Sequence, residues 1–164
     1  ADNGLGIYNL STKKFRFYSS SAVEYTLNSK YVHSLYIDYQ KILWIGTDIG
    51  LQMTDLNSTN LDYTSISNKL PESEHSIVPS FLEDPSNHIA YMGTYGEILL
   101  QYDLITKKIN YQKLDKTGAI LSMYLDEGNL FLNCSSGNYI YDVKTKKIIK
   151  NNLLPEQRFY NVLQ

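Results

Sequence analysis

The sequence predicts an all-β protein built from repeated four-stranded antiparallel sheets, and three observations support this prediction. One pattern returns along the chain at intervals of 39 to 48 residues. Each copy contains apolar runs of about five to seven residues, which is the length of a strand and too short for most helices. Clusters of Gly, Asn, Asp, Ser, Thr and Lys separate the runs and are typical of tight turns. These connections leave no room for the crossovers that parallel strands need.

The repeat is clearest in an apolar run that ends near Asn9, Asp55, Asp103 or Asp142. Its copies are residues 4–10 (GLGIYNL), 50–56 (GLQMTDL), 98–104 (ILLQYDL) and 138–143 (NYIYDV). A polar turn and a new apolar residue follow each copy, at 11–15 (STKKF), 57–61 (NSTNL), 105–109 (ITKKI) and 144–148 (KTKKI). Earlier runs lie at 42–47, 89–94 and 130–135, and before them at 32–38, 77–84 and 119–126. Because several features share one period, chance similarity is a poor explanation.

Repeats of this length with four strands each match the blades of a β-propeller. The run Ile42–Thr47 is apolar on both faces, so it must be covered on both sides, as it is between stacked blades. The lysine pair at 13–14, like those at 107–108 and 146–147, predicts an exposed outer edge at the start of each fourth strand. Pro79 in a first strand predicts that this strand is also an edge, on the inner side.

We therefore expect one partial β-propeller domain over residues 1–164, with about 3.5 four-stranded antiparallel blades. The end of a blade is expected at 4–18, blades at about 31–66, 77–113 and 119–150, and the start of another blade at 158–163. So few blades cannot close a ring of the usual size, and the apolar faces at both ends would stay open. The chain is then either a piece of a longer propeller or one of two copies that pair, with about seven or eight blades in the complete ring.

Composition excludes several classes of function. The net charge is −2 and the sequence has no basic block interleaved with aromatic residues, so nucleic acid is not an expected partner. The apolar runs are far too short to cross a bilayer, so this segment is not expected to contact a membrane. Cys134 is the single cysteine, which rules out an internal disulfide and predicts a small buried hydrophobe.

No motif predicts an enzyme, a cofactor or a metal site. The three histidines lack the short spacing of metal ligands: His33, His75 and His88. An acidic residue recurs once per repeat, and recurrence is typical of a structural turn rather than of a catalytic pair: Asp38, Asp84 and Asp126. Trp44 lies within an apolar strand, where packing between blades is the expected role.

Residues 42–51 (ILWIGTDIGL) resemble the signature of the two-component regulator propeller repeat, and residues 3–8 and 32–38 fit the same frame. The later copies depart from the signature at Ala90, Tyr91 and Glu97, and again at 133–135, although they stay in phase. In that family such repeats form the periplasmic sensor of hybrid sensor histidine kinases in gut Bacteroidetes. The resemblance implies a periplasmic, ligand-sensing part of an inner-membrane signalling protein that detects oligosaccharides derived from glycans.

A ligand surface is expected in the loops at one end of the propeller, because loops carry function on a rigid scaffold. Connections into first strands and connections from second to third strands should share that end. The candidate ligand-binding residues there are Asn28, Lys30, Tyr31, Asp48, Glu74, His75, Tyr95 and Ser136. The leading interpretation is a sensor for an oligosaccharide. A scaffold for protein–protein contact or self-association is the alternative, and a propeller enzyme is a weaker third possibility.

Overall fold

The structure is a computed structural model that describes residues 4–20, 27–56, 62–64 (backbone only) and 77–152. Within these residues there are fourteen strands and no helix. Sheet 1 contains β1 (Leu5–Asn9) and β2 (Lys14–Tyr18), and sheet 2 contains β3 (Val32–Ile37), β4 (Ile42–Thr47), β5 (Gly50–Asp55) and β6 (Asp62–Thr64). Sheet 3 contains β7 (Ser80–Asp84), β8 (Ile89–Gly93), β9 (Ile98–Asp103) and β10 (Ile109–Lys113). Sheet 4 contains β11 (Ile120–Asp126), β12 (Asn129–Cys134), β13 (Gly137–Asp142) and β14 (Ile148–Lys150). The predicted strand at 158–163 lies outside the described residues.

Every sheet is an antiparallel meander in which sequence neighbours pair. The turn between third and fourth strands is built the same way three times. The side chain of Asn9, Asp103 or Asp142 accepts hydrogen bonds from two backbone N–H groups two and three residues further on. These bonds favour the charged carboxylate and lower the pKa of both aspartates below its usual value. A lysine with left-handed φ closes each turn: Lys13 (53°), Lys107 (59°) and Lys146 (56°).

Successive sheets stack face to face, so that the second strands of sheets 2 and 3 are buried on both sides. In β4, Leu43 and Ile45 pack against sheet 1, whereas Trp44 packs against sheet 3. The Trp44 ring meets Tyr102 edge-on with centroids 4.8 Å apart, and its exposed fraction is 1%. The same alternation puts Tyr91 of sheet 3 against sheet 4. Trp44 therefore packs between sheets, as predicted.

First strands of neighbouring sheets lie against one another along the inner edge of the stack. The hydroxyl of Ser34 in β3 donates to the Val78 carbonyl at 2.5 Å, and Ser80 in β7 donates to the Ile120 carbonyl at 2.9 Å. Pro79 stands immediately before β7 rather than within it. Because the meander runs outward from here, the fourth strands form the outer rim.

The recurrent aspartates at the ends of first strands are structural in two of the three copies. Asp38 is buried, accepts the indole N–H of Trp44 at 2.9 Å and also accepts two backbone N–H groups of its turn. Asp84 is buried and accepts bonds from the turn that follows it. Asp126 is exposed, and the adjacent turn is made by Glu127 and Gly128 with positive φ instead. The predicted turn role therefore fits Asp38 and Asp84, but not Asp126.

Both outermost sheets present apolar residues on the face turned away from the stack. Leu5, Ile7 and Tyr18 of sheet 1 pack on sheet 2. The opposite face, which we call the sheet 1 end face, carries Gly6 and three exposed aromatic side chains: Tyr8 (53%), Phe15 (63%) and Phe17 (57%). Sheet 4 turns Tyr124, Phe131, Ile140 and Ile149 outward in the same way.

Candidate functional site

Loops into the first strands meet the hairpins between second and third strands at one end of the stack, which we call the loop end. The backbone N–H of Tyr95 donates to the Ile77 carbonyl at 3.2 Å, and that of Ser136 donates to the Thr117 carbonyl at 3.2 Å. The two kinds of connection therefore lie side by side, as the sequence predicted for a four-stranded meander.

Asn28 and Asp48 place buried polar atoms at the sheet 2 part of the loop end. The backbone N–H of Asn28 donates to Gln52 Oε1 at 2.8 Å, which fixes the loop against β5. The Oδ1 and Nδ2 atoms of Asn28 and the Oδ1 atom of Asp48 are buried, with no hydrogen-bond partner among the described residues. A buried polar atom without a partner costs about 1–3 kcal/mol, so such atoms are strong candidates for contacts with a polar ligand.

Two exposed tyrosines flank the same end of the stack. Tyr31 is 41% exposed and Tyr95 is 44% exposed. Lys30 Nζ lies 4.9 Å from the centroid of the Tyr31 ring, within the range of a cation–π contact. These side chains offer flat apolar surfaces at the same end of the stack as the polar atoms of Asn28 and Asp48, and small-molecule sites combine such groups.

Nucleophilic and metal chemistry have little support in this geometry. Burial raises the pKa of the Cys134 thiol to about 12, with a smaller contribution from the charge of Glu97, so the thiol stays protonated at neutral pH. In the described part of the chain, no group of three or more His, Cys, Asp or Glu side chains is placed to hold a metal ion. No helix long and apolar enough to cross a membrane occurs among the residues that the structure describes.

Comparison with known proteins shows what this repeat is similar to. Residues 26–48 match the two component regulator propeller family. The extracellular domain of the hybrid two-component system BT4673 from B. thetaiotaomicron has a TM-score of 0.76 and 25% identity, with 92% of this chain and 20% of that chain covered. The corresponding domain of BT3049 from B. thetaiotaomicron has a TM-score of 0.78 and 15% identity, with 95% and 23% covered. The computationally designed protein Ika4 has a TM-score of 0.62 and 11% identity, with 87% and 81% covered. No curated protein matches the sequence.

Within the chain, one stretch (residues 26–48) therefore matches a two-component regulator propeller repeat. The predicted all-β propeller fold is thereby confirmed, and so is the resemblance to sensor regions of two-component systems. The chain spans about a fifth of the length of the two signalling proteins' chains. Both of those domains are extracellular.

The remaining candidate residues of the propeller differ in what they can offer a ligand. Ser136 is exposed, but its hydroxyl lies 2.7 Å from the Lys116 and Thr117 carbonyls and 2.9 Å from the Tyr139 hydroxyl. These contacts fasten the loop into sheet 4 and leave Ser136 the least available of the candidates. Glu74 and His75 lie outside the described residues.

Two loop-end residues of the propeller were missed by sequence reasoning. Gln52 accepts the Asn28 N–H and so connects β5 to the loop before β3. Glu97 Oε1 accepts the Gly118 N–H at 3.0 Å and so connects the β8–β9 hairpin to the loop before β11. Gln52 could have been found because it is the polar residue inside the apolar run 50–53. Glu97 occurs where the sequence departs from the repeat signature, which is the corresponding signal.

Proposed function

We propose that this propeller is the ligand-sensing part of a periplasmic sensor in a hybrid two-component system, and that its loop end binds an oligosaccharide. The relation to extracellular domains of such systems supports the sensing role. The observation that carries the ligand class is the set of three buried polar atoms on Asn28 and Asp48, at the same end of the stack as two exposed tyrosines.

The chemistry of these groups suits a sugar. The Asn28 carboxamide supplies a donor and an acceptor, and the Asp48 carboxylate supplies an acceptor for a hydroxyl group. Tyr31 and Tyr95 add flat apolar faces against which the C–H face of a pyranose can pack. A sugar that satisfies these polar atoms removes the cost of leaving them buried, whereas an apolar ligand does not.

A route for the signal runs through contacts between sheets 2 and 3. The hydroxyl of Ser34 donates to the Val78 carbonyl, and the hydroxyl of Tyr36 donates to Glu83, which also accepts the Tyr39 N–H at 3.2 Å. Because β3 begins directly after the Asn28 loop, a shift of that loop moves one side of these contacts. In this proposal the change reaches a kinase elsewhere in the parent protein, which the inner membrane anchors.

The proposal is tested by thermal unfolding and calorimetric titration against panels of oligosaccharides. One glycan class should raise the melting temperature in proportion to ln(1 + [L]/Kd). Asn28→Ala and Asp48→Asn should each weaken its binding at least about tenfold, which corresponds to about 1.4 kcal/mol. Asn110→Ala, on the exposed rim strand β10, is the matched control and should bind like the wild type. Binding that is the same in all four proteins, or no binding to any glycan class, would overturn the proposal.

Self-association is a second candidate function, favoured by the sheet 1 end face. Three exposed aromatic side chains on one two-stranded sheet form a surface typical of an interface. Here the partner is a second copy, whose sheet 4 would cover this face and complete a ring. Light scattering across a dilution series should show a dimer that Phe17→Ser weakens and that Tyr111→Ser, on the rim, leaves unchanged. A monomer at every concentration would remove this candidate without affecting the first.

A further inference from the structure

A cavity with described walls lies between sheets 1 and 2, at the opposite end of the strands from the loop end. Its volume is about 250 Å³. The turn and strand β2 form one wall, and the end of β5 forms the other. The residues that matter here are Ile7, Lys14, Arg16, Tyr18, Thr54 and Asp55.

The other two junctions show why this space is open. At the position of Thr54 in the repeat, sheets 3 and 4 have Tyr102 and Tyr141. Tyr102 reaches the Trp44 ring of the preceding sheet, and the Tyr141 hydroxyl donates to Gln112 Oε1 of the preceding sheet at 2.6 Å. Thr54 is too short to span the same distance, and its hydroxyl donates to the Asp55 carbonyl at 3.2 Å. The cavity therefore stands where the repeat otherwise places a phenol ring.

Two cations line this cavity. Lys14 pairs with Asn9 and Arg16 pairs with Ile7 in the β1–β2 register, so both lie on the face of sheet 1 that turns toward sheet 2. At the position of Arg16, sheet 3 has the neutral Asn110. Asp55 is the one acidic residue among the described lining residues, so the wall as a whole carries an excess of positive charge.

We propose that this cavity binds an oxyanion group, such as a carboxylate, sulfate or phosphate, on a small ligand. The guanidinium of Arg16 matches the geometry of two oxyanion oxygens, and Lys14 adds a second positive charge. The hydroxyl of Tyr18 is a further donor in the walls, and Ile7 covers an apolar part of the ligand. This site lies away from Asn28 and Asp48 and does not depend on the sensing proposal.

The test uses sodium glucuronate, sulfate and phosphate as probes, with sodium chloride at matched ionic strength as the reference. At least one oxyanion should raise the melting temperature in a saturable way beyond the chloride reference. Arg16→Gln and Lys14→Gln should each weaken this binding at least about tenfold. Lys108→Gln is the matched control. Lys108 occupies in sheet 3 the position of the repeat that Lys14 occupies in sheet 1, and it does not line the cavity.

The cavity itself is tested by Thr54→Tyr, which restores the side chain that sheets 3 and 4 have. This variant should lose oxyanion binding and keep or raise the melting temperature of the ligand-free protein. If Thr54→Tyr does not fold, the Arg16 and Lys14 variants still decide. Preference for glucuronate would indicate an acidic sugar, and preference for sulfate or phosphate would indicate an ester. A stabilisation equal to that of chloride, or one unchanged in Arg16→Gln and Lys14→Gln, would overturn the proposal.

Discussion

Gly93→Ala should destabilise the propeller, because the next sheet leaves no space for a methyl group. A Cβ atom at Gly93 would lie 2.5 Å from the Ser80 hydroxyl oxygen, 2.6 Å from Ile120 Cγ2 and 2.7 Å from Ile120 Cβ. Carbon atoms at optimal separation are about 3.5–4.0 Å apart, so β8 and β11 would have to separate by roughly 1 Å. That movement would also strain the hydrogen bond from Ser80 to the Ile120 carbonyl.

The size of the effect follows from these contacts. Overpacking a tight core costs about 1–3 kcal/mol, and a weakened buried hydrogen bond adds about 1 kcal/mol. Replacing glycine by alanine returns about 0.5–1 kcal/mol by restricting the unfolded chain. We expect a net loss of about 2–3 kcal/mol in the free energy of unfolding, which lowers the melting temperature of a chain of this size by about 4–12 °C.

Urea unfolding followed by tryptophan fluorescence measures this difference. Gly128→Ala is the comparison variant, because no atom lies within 4 Å of its Cβ position and its cost comes only from a φ of +79°. Gly128→Asn should recover part of that loss, since asparagine tolerates left-handed backbone, whereas Gly93→Asn should be worse than Gly93→Ala. A Gly93→Ala variant no less stable than Gly128→Ala would show that the neighbouring sheets are not packed this closely.

Three further measurements probe buried groups. Cys134 should react with iodoacetamide at least about 100-fold more slowly in the native than in the denatured protein, because its thiol is buried and protonated. Burial raises the pKa of Tyr91 to about 12 from an ordinary 10.0, so the folded protein holds the phenol proton more tightly than the unfolded chain does. The contribution of Tyr91 to the free energy of unfolding is therefore fully present below pH 10 and is lost as the pH rises toward 12. Tyr91→Phe should therefore lose less stability than the wild type over that range, measured by urea unfolding at each pH. Asp38→Ala should lower the free energy of unfolding, measured in urea, by about 3 kcal/mol, because it leaves the buried indole N–H of Trp44 without an acceptor. Asp126→Ala should lower it by less than about 0.5 kcal/mol.

Local features of the fold could be predicted from the sequence because they depend on residues close together in the chain. The third-strand runs and the Ser/Thr-Lys turns appear in the structure within a residue or two of where the repeat indicates them. Period-two alternation and turn chemistry are enough to define such hairpins. The end of the stack that carries Tyr31 and Tyr95 could be predicted in the same way, because a four-stranded meander puts those connections on one side.

Contacts between sheets were harder to predict, because each depends on residues about forty positions apart. The sequence around Gly93 in β8 gives no sign of a neighbouring sheet, whereas in the structure the approach of β11 leaves no space for a Cβ atom there. Lys14 reads as protection for an outer edge, and it does lie on the rim strand. Its face, however, turns toward sheet 2, together with Arg16. The buried amide of Asn28 likewise carries no signal in its immediate sequence.

Because the sheets repeat, each junction between two sheets can be compared with the equivalent junctions elsewhere in the chain. A residue that differs at only one junction is then a candidate for a special role. Tyr102 and Tyr141 show the ordinary filling of a junction, and Thr54 departs from it beside two cations. Asn133 stands where Gly93 stands one sheet earlier, and its Oδ1 is buried without a hydrogen-bond partner among the described residues. A side chain is tolerated there because no described strand packs on that face of sheet 4. Departures from the repeat, more than the residues that the repeats share, are therefore where ligands and partners should be sought in this propeller.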